Sequence, residues 1–148
     1  MQLQSESNPA LNTVTAYGDD YIEINAITYR HAVYFGPEGD IHHWPASAPE
    51  AIGPSLLRQA AGLTETRVDP MDFLDGAAPS RPANAPEVLL VGTGKKQHLL
   101  PAQTTSEFLA MGIGVESMST QAAARTYNIL MAEGRRVVAA LLPLEPTQ

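Results

Sequence analysis

Val88-Leu89-Leu90-Val91-Gly92-Thr93-Gly94 is a short apolar run that ends on a glycine turn. Unbroken apolar strands of this kind belong to parallel sheets covered on both faces. Two more short strands follow downstream: Ile113-Gly114-Val115-Glu116, and Val137-Val138-Ala139-Ala140-Leu141-Leu142, which Pro143 stops. Between the first two, Thr104-Thr105-Ser106-Glu107 has the Thr-x-x-Glu form of a capping box, predicting a short helix that starts there and stops near Met111-Gly112. Ser119 or Thr120 caps a longer predicted helix that runs to about Glu133, with Gly134 after its end. The order β-α-β-α-β implies parallel strands, because helical crossovers connect parallel strands and are almost always right-handed.

Upstream, the pattern changes to alternation. Residues 13–17 and 21–25 are short β-rich runs around Gly18-Asp19-Asp20, a hairpin signal, and Ile22 and Ile24 alternate with Glu23. Residues 31–35 and 41–44 form a second pair, joined by Gly36-Pro37-Glu38-Gly39. Residues 55–61 read as one or two helical turns. Three prolines within residues 76–86 mark an exposed loop. Residues 1–10 read as a disordered leader and 144–148 as a tail. The expected fold is one α/β domain over residues 11–143. It is layered around a mixed central sheet, with a C-terminal β-α-β-α-β unit and an antiparallel N-terminal β portion.

Composition sets further bounds. The 148 residues suit a single domain with an ordinary core. No cysteine is present, so there is no disulfide, thiolate nucleophile or cysteine-ligated metal, and a reducing compartment is suited. The net charge is −7. Residues 1–87 hold four basic and twelve acidic side chains, and residues 88–148 hold five and four. An acidic chain without a basic run is a poor binder of nucleic acid or anionic membrane. Residues 1–11 lack the features of a signal or transit peptide, and no apolar run approaches the ~20 residues of a membrane span. A cytoplasmic location follows as an expectation.

No pattern in the chain specifies catalysis. Gly92-x-Gly94 after a strand is part of a dinucleotide fingerprint, but position 97 is Gln97, and Pro101 intervenes before any helix. The phosphate-loop motif fails as well, since Lys96 follows Gly94-Lys95. A tight turn with positive φ is the plain reading. His42 and His43 are adjacent on a predicted strand and point to opposite faces, so they cannot clasp one ion together, although His31 on the neighbouring strand is in reach of one of them. No metal and no cofactor are expected. Asp19-Asp20 suits its turn better than acid–base work. On the long helix, Ala123, Tyr127, Leu130 and Met131 form a core stripe. Gln121, Arg125 and Asn128 form another face, either solvated or an interaction surface. Arg135 and Arg136 follow the helix end, where positive charge offsets the macrodipole.

The stretches 87–94, 112–116, 119–130 and 133–137 together resemble a small family of uncharacterised α/β domains. That family includes a mitochondrial respiratory complex I assembly factor, an adipogenesis-associated domain protein and many bacterial and archaeal members. The likeness is specific over residues 84–143, looser over 11–44, where the hairpins and Trp44 fit, and poor over 45–83. It implies a layered α/β fold around a mixed sheet and no particular reaction. The family often has an acidic residue where this chain has Ser119, and a cysteine where it has Ala124.

Two functions are therefore weighed. The first is a non-catalytic protein-binding or assembly-factor-like module whose partner is a protein. The second is a binder of a small anion, or an enzyme, that uses the loop Gly92, Thr93, Gly94, Lys95 and Lys96 with Ser119, Thr120 and Arg125 at the start of the long helix. In open α/β sheets ligands favour the crevice beyond the carboxyl ends of the strands, and a helix start adds free N–H groups.

Overall fold

A computed structural model describes residues 11–63 and 85–145. The expected leader 1–10, most of the loop 76–86 and the end of the tail 144–148 lie outside them. In chain order the strands are β1 (Val14–Gly18), β2 (Tyr21–Ile24), β3 (Ile27–Tyr29), β4 (Val33–Phe35) and β5 (His42–His43). Helix α1 (Pro54–Ala60) follows, then β6 (Val88–Gly92), α2 (Ala102–Ala110), β7 (Gly114–Met118), α3 (Thr120–Ala132) and β8 (Val137–Leu141). Among the described residues they form two sheets, a β1-β2-β3 meander and a five-stranded mixed sheet in the order β5-β4-β8-β6-β7.

The apolar run 88–91 lies inside that larger sheet because it has no polar face to offer water. β6 pairs in parallel with β7 on one side and with β8 on the other. Its alternate side chains feed two cores. Leu89 and Val91 join Trp44, Leu57, Phe108 and Ile113 under α1 and α2. Leu90 joins Val14, Ile22, Ile24, Phe35 and Tyr127 under α3 and the meander. The molecule is thus layered, with α1 and α2 on one face and α3 plus the meander on the other. The second predicted hairpin does not stay with the first: β4 runs antiparallel to β8 and makes the central sheet mixed.

Several local expectations need correction. The helix α2 begins at Ala102, ahead of the predicted capping box, with Pro101 at the N-cap and no side-chain cap bond. Proline presets φ for entry into a helix. Thr104 is buried inside the first turn, and Glu107 turns away to Arg58 of α1, 2.6 Å off. Ala85 and Pro86, at the end of the loop expected to be exposed, are buried. Strand β3 was not foreseen. Asn25 and Ala26 both have positive φ (51° and 68°), the geometry of a two-residue type I′ hairpin turn. Asn25 is anchored there by Asn12 Oδ1 and the Thr13 amide.

The long helix matches expectation closely. Ser119 Oγ accepts from the Ala122 amide at 3.3 Å. At the other end the Gly134 amide donates to Met131 O and the Arg135 amide to Leu130 O, with Gly134 at φ +81°, which is a Schellman motif. Arg135 then pairs with Glu87 at 2.8 Å. On the core side, Tyr127 packs edge-on against Phe35, and its hydroxyl donates to Asn12 O at 2.8 Å. Burial pushes the Tyr127 phenol far above the ordinary tyrosine range.

Two outcomes are expected. Gly134→Ala should cost about 1 kcal/mol in a thermal or urea melt, since a Cβ there meets no neighbour and the penalty is that of a left-handed alanine. Tyr127 is held neutral in the folded state, so its stabilisation is complete below the unfolded phenol pKa of about 10 and is lost as pH rises beyond it. Urea melts between pH 8 and 11 should show the wild type losing stability above about pH 10 more steeply than Tyr127→Phe.

Candidate functional site

The carboxyl edge of the parallel strands is where the sequence places a ligand site, and the structure brings those residues together. The connection after β6 leaves toward α2 on one face, whereas the connection after β7 enters α3 on the other. Adjacent strands with such divergent exits define the switch point of an open α/β sheet. The loop 92–96 and the start of α3 meet across it.

The crevice is closed by the chain's own groups. Thr120 is fully buried. Its Oγ1 accepts from the Gly94 amide at 2.9 Å and donates to Leu142 O at 2.6 Å. Its amide donates to Gly94 O at 2.8 Å. Thr93, also buried, donates from its amide to Met118 O, and its hydroxyl lies within hydrogen-bond distance of Lys96 O and Met118 O and accepts from the His98 amide. Gln97 Nε2 reaches Ser117 O. The Lys95 amide donates to Leu144 O, while its ammonium lies 3.6 Å from Glu145. Lys96 is exposed.

Glycine is required at the floor of this junction. A Cβ on Gly92 would lie 2.9 Å from Thr120 Oγ1 and 3.0 Å from its Cα, distances that real Cβ atoms barely tolerate. Gly94 sits at φ +99°, as a tight turn demands. The loop 92–96 and the start of the long helix therefore converge, the Thr93, Gly94, Lys95 and Thr120 amides already have protein acceptors, and Arg125 is turned to Tyr17 instead.

On the polar face of α3, Asn128 has a use within the chain that neither reading of the sequence included. Asn128 clamps β1: its Oδ1 accepts from the Val14 amide at 3.0 Å and its Nδ2 donates to Val14 O at 2.9 Å. This side chain thus mimics a neighbouring strand. Arg125 reaches the Tyr17 hydroxyl at 3.4 Å and remains exposed. Among the described residues, Gln121 Oε1 is the buried side-chain polar atom without a hydrogen-bond partner.

A cavity of about 580 Å³ lies at the opposite edge of the sheet. Glu38 and Asp40 from the β4–β5 turn, Arg135 and Arg136 ahead of β8, and Phe35 and Met131 are among its lining. No sequence motif marks it, because its walls come from three connections distant in the chain. His42 faces this cavity and stacks on Tyr34, so it is parted from His43, as the alternation of a strand requires. Among the described residues, no three His, Asp or Glu side chains converge as metal ligands, and no helix is long and apolar enough to cross a membrane.

Thr120→Val keeps the shape of the junction and deletes its hydroxyl. It strips a partner from the Gly94 amide and from Leu142 O, both buried, and should destabilise the fold by about 2 kcal/mol in a denaturant melt.

Known proteins share this architecture. A Mth938-like domain of Bordetella pertussis, solved by solution NMR, superposes with a TM-score of 0.80 at 60% identity, covering 99% of this chain and 95% of that one. An uncharacterised protein of Rhodobacter capsulatus is 47% identical over 103 residues, 64% of this chain and 83% of its own length. The NADH dehydrogenase (ubiquinone) 1 alpha subcomplex assembly factor 3 of Danio rerio is 42% identical over 57 residues, 38% of this chain and 33% of that protein. The match thus spans about a third of the assembly factor. A family profile described as Protein of unknown function (DUF498/DUF598) matches residues 14–142, most of both sheets and all three helices, and the chain belongs to that family.

Proposed function

We propose that this chain is a non-catalytic protein-binding module with an assembly-factor-like role. The observation that carries the reading is the pair of large aliphatic side chains that the β6–α2–β7 crossover leaves in water. Leu99 is 80% exposed and Leu109 is 60% exposed. Two exposed leucines on one crossover, beside a switch point whose Thr93, Gly94 and Thr120 groups are bonded within the chain, suit burial against a protein better than capture of a small anion. The likeness to an assembly factor adds support from another direction. A cysteine-free chain suits work in a reducing compartment such as the cytoplasm.

The test compares partners of the wild type with those of a Leu99→Asp/Leu109→Asp double variant, by affinity capture from the native organism and mass spectrometry of bound proteins and metabolites. The double variant should melt within about 1 kcal/mol of the wild type, because exposed positions tolerate substitution. It should lose at least one protein that the wild type retains at stoichiometric yield. An unchanged set of bound proteins, or recovery of a small molecule alone, would refute the proposal.

A further inference from the structure

A second constellation lies away from the crossover, where β4 and β5 edge the central sheet. The rings of His31 and His43 have centroids 4.5 Å apart and planes tilted by 53°. Both rings line one cavity of about 300 Å³, together with Ser47, Trp44 and Pro143. The tilt is too large for flat stacking of the kind that His42 makes with Tyr34, where the planes differ by 19°.

The tautomer of His31 is fixed by its neighbour. Its Nδ1 lies 2.9 Å from the carbonyl oxygen of Ala32. A carbonyl only accepts, so Nδ1 carries the proton and Nε2 of the neutral ring keeps a lone pair. Metal-binding histidines are arranged in this way, one ring nitrogen held by a backbone carbonyl and the other left to the ion.

The spacing lies within the span of two imidazoles on one ion. With a metal–nitrogen bond of about 2.0–2.1 Å, an imidazole centroid sits roughly 3.2 Å from the ion. Two such rings at a right angle have centroids about 4.5 Å apart, and at the tetrahedral angle about 5.2 Å apart. With one nitrogen of each ring turned to a common ion, the observed 4.5 Å fits a cis pair on a square-planar or octahedral ion. Imidazole ligands in tetragonal geometry favour Cu²⁺ or Ni²⁺.

We propose that His31 and His43 form a bidentate site for a late first-row dication with a cis nitrogen pair, Cu²⁺ or Ni²⁺. Water completes the coordination within the shared cavity. Two protein ligands make an exchangeable site rather than a permanent one. The sequence argument against a metal rested on His42 with His43 and placed His31 in reach of one of them; the tertiary pairing sets it beside His43.

The test titrates CuCl₂ into the untagged full chain, in a non-chelating buffer, with EPR and calorimetry. One copper per chain should bind, with hyperfine coupling to two imidazole nitrogens. His31→Ala and His43→Ala should each weaken binding at least tenfold, and His42→Ala should leave it unchanged. Wild-type affinity in either of the first two variants, an equal loss in His42→Ala, or no saturable binding by the wild type would overturn the assignment. Should an alanine variant melt early, the wild-type spectrum decides, since coupling to fewer than two imidazole nitrogens is incompatible with the site.

Discussion

Thr120 holds three chain segments at one point. Through one buried hydroxyl and one amide it joins the turn after β6, the start of α3 and the carbonyl that follows β8. The register of the parallel strands, the entry angle of α3 and the closure of the switch-point crevice all depend on this junction. A hydroxyl so enclosed is stabilising only because it both donates and accepts. Left half-satisfied in a low-dielectric interior, it would cost more than an apolar residue of the same shape. Gly92 is the steric counterpart, since only a residue without a Cβ lets α3 approach β6 this closely.

That junction bears on function through what it uses up. The carboxyl edge of a parallel sheet is the customary place for a ligand, yet here the Thr93, Gly94 and Thr120 amides and both threonine hydroxyls are bonded within the chain. Aliphatic surface is left outside, on the crossover that leads to β7. A second set of polar groups gathers at the opposite edge of the sheet, and the paired imidazoles lie along its outer strands. The fold therefore separates a hydrogen-bonded switch point from polar and apolar groups at its margins, where surface residues are free to vary without disturbing the core.

The meander shows how a side chain substitutes for a strand. β1 to β3 do not pair with the central sheet, and their apolar face is buried on α3 together with Phe35 and Leu90. Asn128 supplies a donor and an acceptor to Val14 as an adjacent strand would. Read in sequence, Asn128 is only a polar residue on a polar helical face. Its role needs a partner 114 residues away, and no local pattern encodes that distance. Strand β3 escaped for a related reason. Its turn residues, Asn25 and Ala26, lack the glycine that marks a type I′ hairpin, and the surrounding hydrogen bonds hold them in left-handed conformations.

By itself the sequence determined the parallel β6–β7–β8 core, the long helix and its two caps, and the convergence of the glycine turn with Thr120. These are written in local terms: an apolar run with no polar face, a serine at an N-cap, a glycine at positive φ. The capping box now inside α2 misled because the helix already starts after Pro101 and Glu107 pairs with Arg58 instead of reaching back to a cap. Tertiary structure alone decided that β4 joins β8, that Thr120 spends its hydrogen bonds within the chain, that Asn128 clamps Val14, and that His31 stands beside His43 rather than His42. Each of these is a pairing between residues far apart in the chain. Such pairings follow from how two buried faces and their hydrogen bonds are satisfied together, which no single stretch of sequence specifies.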